Sequence, residues 1–303
     1  MKRWDRSALV ATMFAAAVAT VSVSTAAASD IDYSKPALLP TRRITELPKF
    51  PGAAPMPHRI VMTRLPDHPD GPAAKLVDGL LPVAENGNAM AAYELAVVLN
   101  DCSQIPADAS ELEQRIADLK RKRVDIDTPI HHPKEMERDM RHQFDRCQGI
   151  PADRRGQYYD WLRRAADGGL LDALENFPLF VPPGDICREY EFSRCTADQQ
   201  STSQAARQII GHYLLAARDA GSVNALWQLG AAYTQGELFP VDDVAAYAHL
   251  LAYERAGHAF GIADRVAAEV RNLAARLSAD AREQGRQQAR ALLANPQCCV
   301  LIR

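Results

Sequence analysis

Five side chains of metal-binding type, His131, His132, Glu135, Asp139 and His142, fall close together in the chain. Glu135, Asp139 and His142 have i, i+4 and i+7 spacing, which puts them on one face of a helix. A zinc site needs three or four convergent ligands, and a shared helix face does not by itself make them converge. The chain has no H-E-x-x-H and no C-x-x-C. The expectation is a solvated polar face, with no metal and no cofactor.

Nucleophilic chemistry finds no better footing. No G-x-S-x-G occurs, no serine is followed by lysine three positions later, and no glycine-rich phosphate loop is present. Those patterns are what acyl transfer and phosphate binding would need. The chain is therefore expected not to be an enzyme. An envelope enzyme or enzyme subunit acting on cell-wall material is the alternative, with Glu135, Asp139 and His142 as the local cluster it would use.

Other side chains suit recognition rather than catalysis. Arg163 and Arg164 form a basic pair, and a second basic run covers 120–123. Either could attract an acidic partner or a phospholipid, or simply be solvated. Gln208 and His212 are spaced i, i+4, on one helix face. Trp227 is a large aromatic and a candidate binding anchor.

These residues are positioned by a recurring frame. Taking Gly221 as reference, Tyr213, Leu214 and Ala217 precede it, and Ala225, Leu229, Gly230, Tyr233 and Gly236 follow. The frame recurs at Gly169, with Trp161, Leu162 and Ala165 before it and Ala173 and Phe177 after. It recurs at Gly257, with His249, Leu250, Tyr253 and Gly261, and more faintly at Gly87, with Leu80, Val83, Ala91 and Leu95. Glycine ends a first helix at positive φ. A small residue four positions later lets a second helix approach, and larger apolar residues fill the seam. Such a pair buries its apolar face only by stacking on neighbours. Within this frame Trp227 lies six positions after its glycine, where Tyr93, Glu175 and Ala263 stand elsewhere. The expectation is that this is not a core position.

The reference glycines are 36, 52 and 82 residues apart, taken from Gly257 back to Gly87. One bare unit is thus 36 residues, and two intervals carry insertions of about 16 and 46. The patterns W-L-x-x-A-A-x-x-G at 161–169 and A-x-x-x-L-G-x-x-Y-x-x-G at 225–236 resemble the Sel-1-like repeat, a relative of the tetratricopeptide repeat. The resemblance covers 70–95 and 155–295. It implies an all-α fold, an α-solenoid of stacked helix–turn–helix repeats, and a role as a protein-binding adaptor. Some cysteine-rich exported relatives have been linked to penicillin binding, whose serine form needs the S-x-x-K that is missing here.

Residues 1–28 have a basic start, an uncharged apolar run and a small-residue end, the pattern of a secretory signal peptide. Its removal takes the net charge from −3 to −5, which disfavours nucleic acid as partner. No later segment is apolar enough to span a membrane. Periplasmic or secreted localisation follows, and six cysteines then favour disulfides. Cys102–Cys147 would close the long insertion and Cys187–Cys195 the short one. Adjacent cysteines rarely bridge one another, so Cys298 or Cys299 is expected to pair elsewhere, including with a second chain. A disulfide-linked structural oligomer is a third functional reading.

Residues 29–72 hold nine prolines and no helical period, so they form an extended linker or an arm laid along the repeats. Residues 73–303 are the helical repeat domain, with insertions at 103–150 and 178–200. In the longer insertion a capping box is expected at 110–113. Its two amphipathic helices should form a hairpin projecting from the array. The leading functional expectation is a scaffold that binds a protein or peptide in a solenoid groove.

Overall fold

The computed structural model describes residues 42–43, 61–63, 71–122, 133–180, 187, 195–258, 262 and 266–302. The signal sequence, most of the proline-rich arm, His131, His132 and much of the Cys187–Cys195 loop lie outside the described residues. The chain is all-α apart from a small sheet. Its helices are α1 (Ala73–Glu85), α2 (Ala89–Ser103), α3 (Ala109–Lys122), α4 (Pro133–Arg146), α5 (Ala152–Arg155) and α6 (Tyr158–Asp167). There follow α7 (Leu171–Asn176), α8 (Ala197–Asp219), α9 (Val223–Gln235), α10 (Asp243–His258), α11 (Ala267–Arg276) and α12 (Ala279–Leu293).

Three turns share one geometry. Gly87, Gly169 and Gly221 have φ of 89°, 76° and 92°. After each glycine the next residue, Asn88, Leu170 or Ser222, donates its N–H to the carbonyl of Val83, Ala165 or Ala217. This is the 6→1 bond of a Schellman ending, made where the frame places a small or branched residue four before the glycine. Four residues after each glycine Ala91, Ala173 and Ala225 are fully buried. The turn then opens a second helix. Asn88 Oδ1 accepts from Ala91 N and Ser222 Oγ from Ala225 N, both at 3.0 Å, which satisfies a first-turn donor.

The hairpins α1–α2, α6–α7 and α8–α9 stack in order, each second helix meeting the first helix of the next unit: α2 on α6, α7 on α8, α9 on α10. One apolar core runs from Ala73 to Leu229 and a second from Val223 to Leu301, and Tyr233 packs against both. Gly230 permits the closest of these approaches. A Cβ there would sit 2.5 Å from Leu250 Cγ.

Several expectations are corrected. Gly257 is no turn: it stays helical inside α10, and Ile262 N reaches back to its carbonyl at 3.0 Å. A glycine is tolerated within a helix when packing fixes it. The first helix of the second unit breaks at Gly156 into α5 and α6. Helix α8 starts at Ala197, where Thr196 and Gln199 form a reciprocal capping box. In the long insertion the box is made by Asp108 and Glu111 rather than Ser110 and Glu113. Asp108 Oδ1 accepts from Glu111 N at 2.9 Å, and Glu111 Oε2 accepts from Ala107 N at 2.8 Å.

Glu113 instead ties the hairpin together. Arg141 holds it at 2.5 Å and Glu137 at 3.0 Å, while Lys120 reaches Glu137 at 2.7 Å. The basic run at 120–123 therefore serves in part as intramolecular pairing. Cys102 and Cys147 are disulfide-bonded at the hairpin base. Arg155 seals that base by donating to the carbonyls of Ile150 at 3.0 Å and Cys147 at 3.1 Å. Cys187 and Cys195 are likewise bonded.

The sheet joins the two ends of the described chain. Strand β1 (Arg42–Arg43) pairs antiparallel with β2 (Val61–Thr63), and β2 pairs parallel with β3 (Val300–Ile302). After α12 the chain folds back over the Gly221 turn. Asn295 Nδ2 donates to the carbonyl of Asp219 at 2.9 Å, and Val300 N donates to that of Gly221 at 2.8 Å. A Cβ on Gly221 would lie 2.1 Å from the Gln297 carbonyl oxygen. Within this segment Cys298 and Cys299 bridge each other. Within the chain this differs from the expected pairing with another cysteine. Both residues are buried, at 4 % and 5 % exposure, in the second core.

Candidate partner-binding face

Helix α6 buries Trp161, Leu162, Ala165 and Ala166 and leaves Arg163, Arg164 and Asp167 exposed. Its apolar residues follow the helical period, so the polar ones must share the opposite side. Arg163 Nε lies 3.9 Å from Asp167 Oδ2. The other oxygen of Asp167 accepts from Tyr213 Oη at 2.5 Å. Tyr213 belongs to α8, where its ring packs 4.4 Å from that of Phe177. Burial, reinforced by the hydrogen bond to Asp167, pushes the Tyr213 phenol up to about 12.

His212 directly precedes it, exposed, with its ring 5.6 Å from that of Tyr213. Gln208 lies one turn earlier and is also exposed. The Tyr213–Asp167 hydrogen bond links α8 to α6, with Arg163 beside Asp167 and His212 beside Tyr213. Arg164 stacks its guanidinium 4.4 Å over the Trp161 ring, a cation–π contact on a buried indole.

Trp227 is placed elsewhere. It is half-buried and packs against the second core. The expectation that its frame position is not a core position is corrected by its equivalents, since Tyr93 and Glu175 are buried at 4 % and 3 % exposure. Each of these side chains meets the following unit. Tyr93 Oη accepts from Asn176 Nδ2 at 2.9 Å. Glu175 accepts from Ser222 Oγ and Asn224 Nδ2, both at 2.5 Å, and its carbonyl accepts from Gln228 Nε2 at 3.0 Å.

These buried groups are the residues that sequence reasoning missed. Burial, only partly offset by the Ser222 and Asn224 hydrogen bonds, pushes Glu175 up to about 7. Asp172, also buried, is raised by burial, and its Oδ1 has no hydrogen-bond partner. Burial and then the Asp172 charge push the Tyr93 phenol above its usual range. One signal was present: a glutamate inside the short apolar stretch 170–177, followed one unit later by Ser222 and Asn224 beside the turn. The arrangement fixes hairpin register through hydrogen bonds that only one alignment satisfies.

Glu135, Asp139 and His142 lie on α4. Among the described residues no group of three His, Cys, Asp or Glu is placed to hold a metal ion. A cleft of about 520 Å³ opens at the hairpin base, lined by Asp108, Phe144, Ile150, Pro151 and Arg155 among others. Among the described residues no helix is long and apolar enough to cross a membrane.

No protein-family model matches the chain, and no curated protein matches it. Among solved structures it is similar to a protective antigen present in uropathogenic Escherichia coli strains, described as displaying an SLR fold. That similarity has 16 % identity and a TM-score of 0.26, and it covers 72 % of this chain and 48 % of the antigen. The chain spans about half the length of that antigen. The helical-repeat fold itself is visible in the three matching turns and in the order of helix stacking.

Proposed function

We propose that this chain is a non-catalytic scaffold of the Sel-1-like kind, exported to the periplasm or beyond, that binds a protein or peptide partner. The carrying observation is the α6–α8 junction. There Arg163, Arg164, Gln208 and His212 are exposed, on two helices linked by the hydrogen bond between Tyr213 and Asp167. Stacked helical units offer long surfaces suited to extended ligands. The raised Glu175 carboxyl supports the same reading. It is enclosed between helices, where its bonds to Ser222 and Asn224 set register rather than meet a substrate. Export is supported by the pattern of residues 1–28, and an oxidising compartment by three disulfides.

The test is affinity capture from envelope extract with the purified chain and with a variant carrying R163A, R164A, Q208A and H212A. The expected result is a protein enriched by the parent chain and lost with the variant. Capture of nothing above background, or capture equal in both, contradicts the proposal.

A further inference from the structure

Arginines on this array are mostly committed to carboxylates. Arg115, Arg141, Arg218, Arg276 and Arg290 each hold one within 3.0 Å. Arg164 does not. Among the described residues its guanidinium has neither a carboxylate nor a hydrogen-bond acceptor, and its Cζ lies 4.4 Å from the centroid of the Trp161 ring. Asp160, one turn earlier on α6, makes no ion pair with it. Asp167, one turn along, is taken up by Arg163 and Tyr213.

The contact has two consequences. It restrains the side chain, so less freedom remains to be lost when a ligand arrives. It also uses no hydrogen bond, so the guanidinium N–H donors stay open to a ligand. A planar fork with free donors fits a carboxylate in bidentate fashion. The imidazole of His212 and the amide of Gln208 are exposed polar groups on α8, which hydrogen-bonds to α6 through Tyr213 and Asp167.

We infer that Arg164 is the anchor for a carboxylate on an acidic segment of the protein partner, with Arg163 beside it. This rests on the scaffold reading and gives its partner a chemistry. An anionic membrane is the weaker fit. Adhesion to lipid headgroups draws on a broad basic patch, whereas this is a confined junction on a chain of net charge −3.

The experiment uses the purified full chain. The probes are a synthetic peptide of alternating glutamate and leucine, its glutamine–leucine counterpart, and vesicles containing phosphatidylglycerol. Binding is followed calorimetrically at low and at physiological salt. The glutamate peptide is expected to bind roughly fivefold or more tighter than the glutamine peptide, with the margin shrinking as salt rises. R164Q should abolish the margin. R164M keeps an apolar cover over Trp161 without the charge, so it should retain the parent's circular dichroism and melting temperature while losing the margin equally. Equal binding of the two peptides, a margin that survives R164M, or preference for the vesicles overturns the inference. If R164M still captures the partner from extract, this inference falls and the scaffold reading stands. If the parent captures nothing, the scaffold reading itself falls.

Discussion

Ser222 Oγ lies 2.5 Å from a carboxylate oxygen of Glu175, across the boundary between the second and third helical hairpins. The same hydroxyl accepts from Ala225 N and so caps α9. One serine therefore starts a helix and locks that helix to its neighbour. Asn224 reaches the other oxygen of Glu175, and Tyr93 with Asn176 makes the corresponding link one unit earlier. The seams, more than the exposed faces, decide how the units are aligned.

Glu175 gives the array a pH dependence of defined sign. Its carboxyl is raised from 4.5 to about 7 in the folded chain. Stability from this group is fully present below the unfolded value and falls as pH rises from about 4.5 to about 7, where the folded state must ionise a buried acid. The expected loss is on the order of 3 kcal/mol, and Asp172 adds to it in the same direction. Urea midpoints between pH 5 and pH 8 should fall for the parent chain and fall less for E175Q. Parallel curves for the two would show that Glu175 is not the source.

His249 acts in the opposite sense at lower pH. Burial lowers its pKa, and its Nδ1 lies 2.8 Å from the Ala245 carbonyl while Nε2 has no partner. The folded chain keeps the ring neutral, so stability is lost as pH falls through about 6.5, where the unfolded chain takes up a proton. His249→Phe preserves the aromatic contact with Tyr233 and should remove this acid-side loss. Thermal melts between pH 7 and pH 5 of parent and variant would reveal it as a difference confined to that range.

Gly221→Ala should be costly for two separate reasons. The residue sits at φ 92°, which an L side chain rarely adopts. The new Cβ would also collide with the Gln297 carbonyl at 2.1 Å. A loss of roughly 2–4 kcal/mol is expected. Hydrogen exchange should quicken first at residues 297–302, since their backbone is what the methyl group displaces. Gly87→Ala shares the turn but has nothing within 4 Å of the added Cβ, so it should cost less and leave the tail protected.

Replacing Cys102 and Cys147 together by alanine removes the cross-link that closes the α3–α4 insertion, a sequence separation of 45. The loss expected from chain entropy is roughly 4 kcal/mol. Because α3 and α4 pack chiefly on each other, exchange should quicken in residues 103–146 while the stacked units keep their protection. Uniform loss of protection across the chain would mean that the hairpin is integral to the array.

How much of this was legible in the sequence depended on distance along the chain. The turns at Gly87, Gly169 and Gly221 were visible because glycine, the small residue after it and the apolar spacing are local. So was the hairpin, from the apolar stripes of its two helices. Gly257 fitted the same local pattern and still misled, since α10 continues through it to His258. The Glu175 seam was not visible, since its partners lie 47 and 49 residues away and its frame position looked arbitrary. The pairing of Val61 with Val300 follows from the tail folding back onto Gly221, which no short-range pattern encodes. Of the candidate face, the residue types were apparent, but not that Tyr213 and Asp167 would link the helices carrying Arg163 and His212 while Trp227 packed elsewhere.

The central claim is that the α6–α8 junction is where this scaffold holds its partner. The most direct measurement places a photo-crosslinking amino acid, one position at a time, at Gln208 and His212, and for comparison at the half-buried Arg282 of α12. The exported chain is irradiated in the intact envelope. The account predicts a discrete protein adduct from Gln208 and His212 and none from Arg282. Adducts of equal yield from all three positions, or adducts from Arg282 alone, would contradict it.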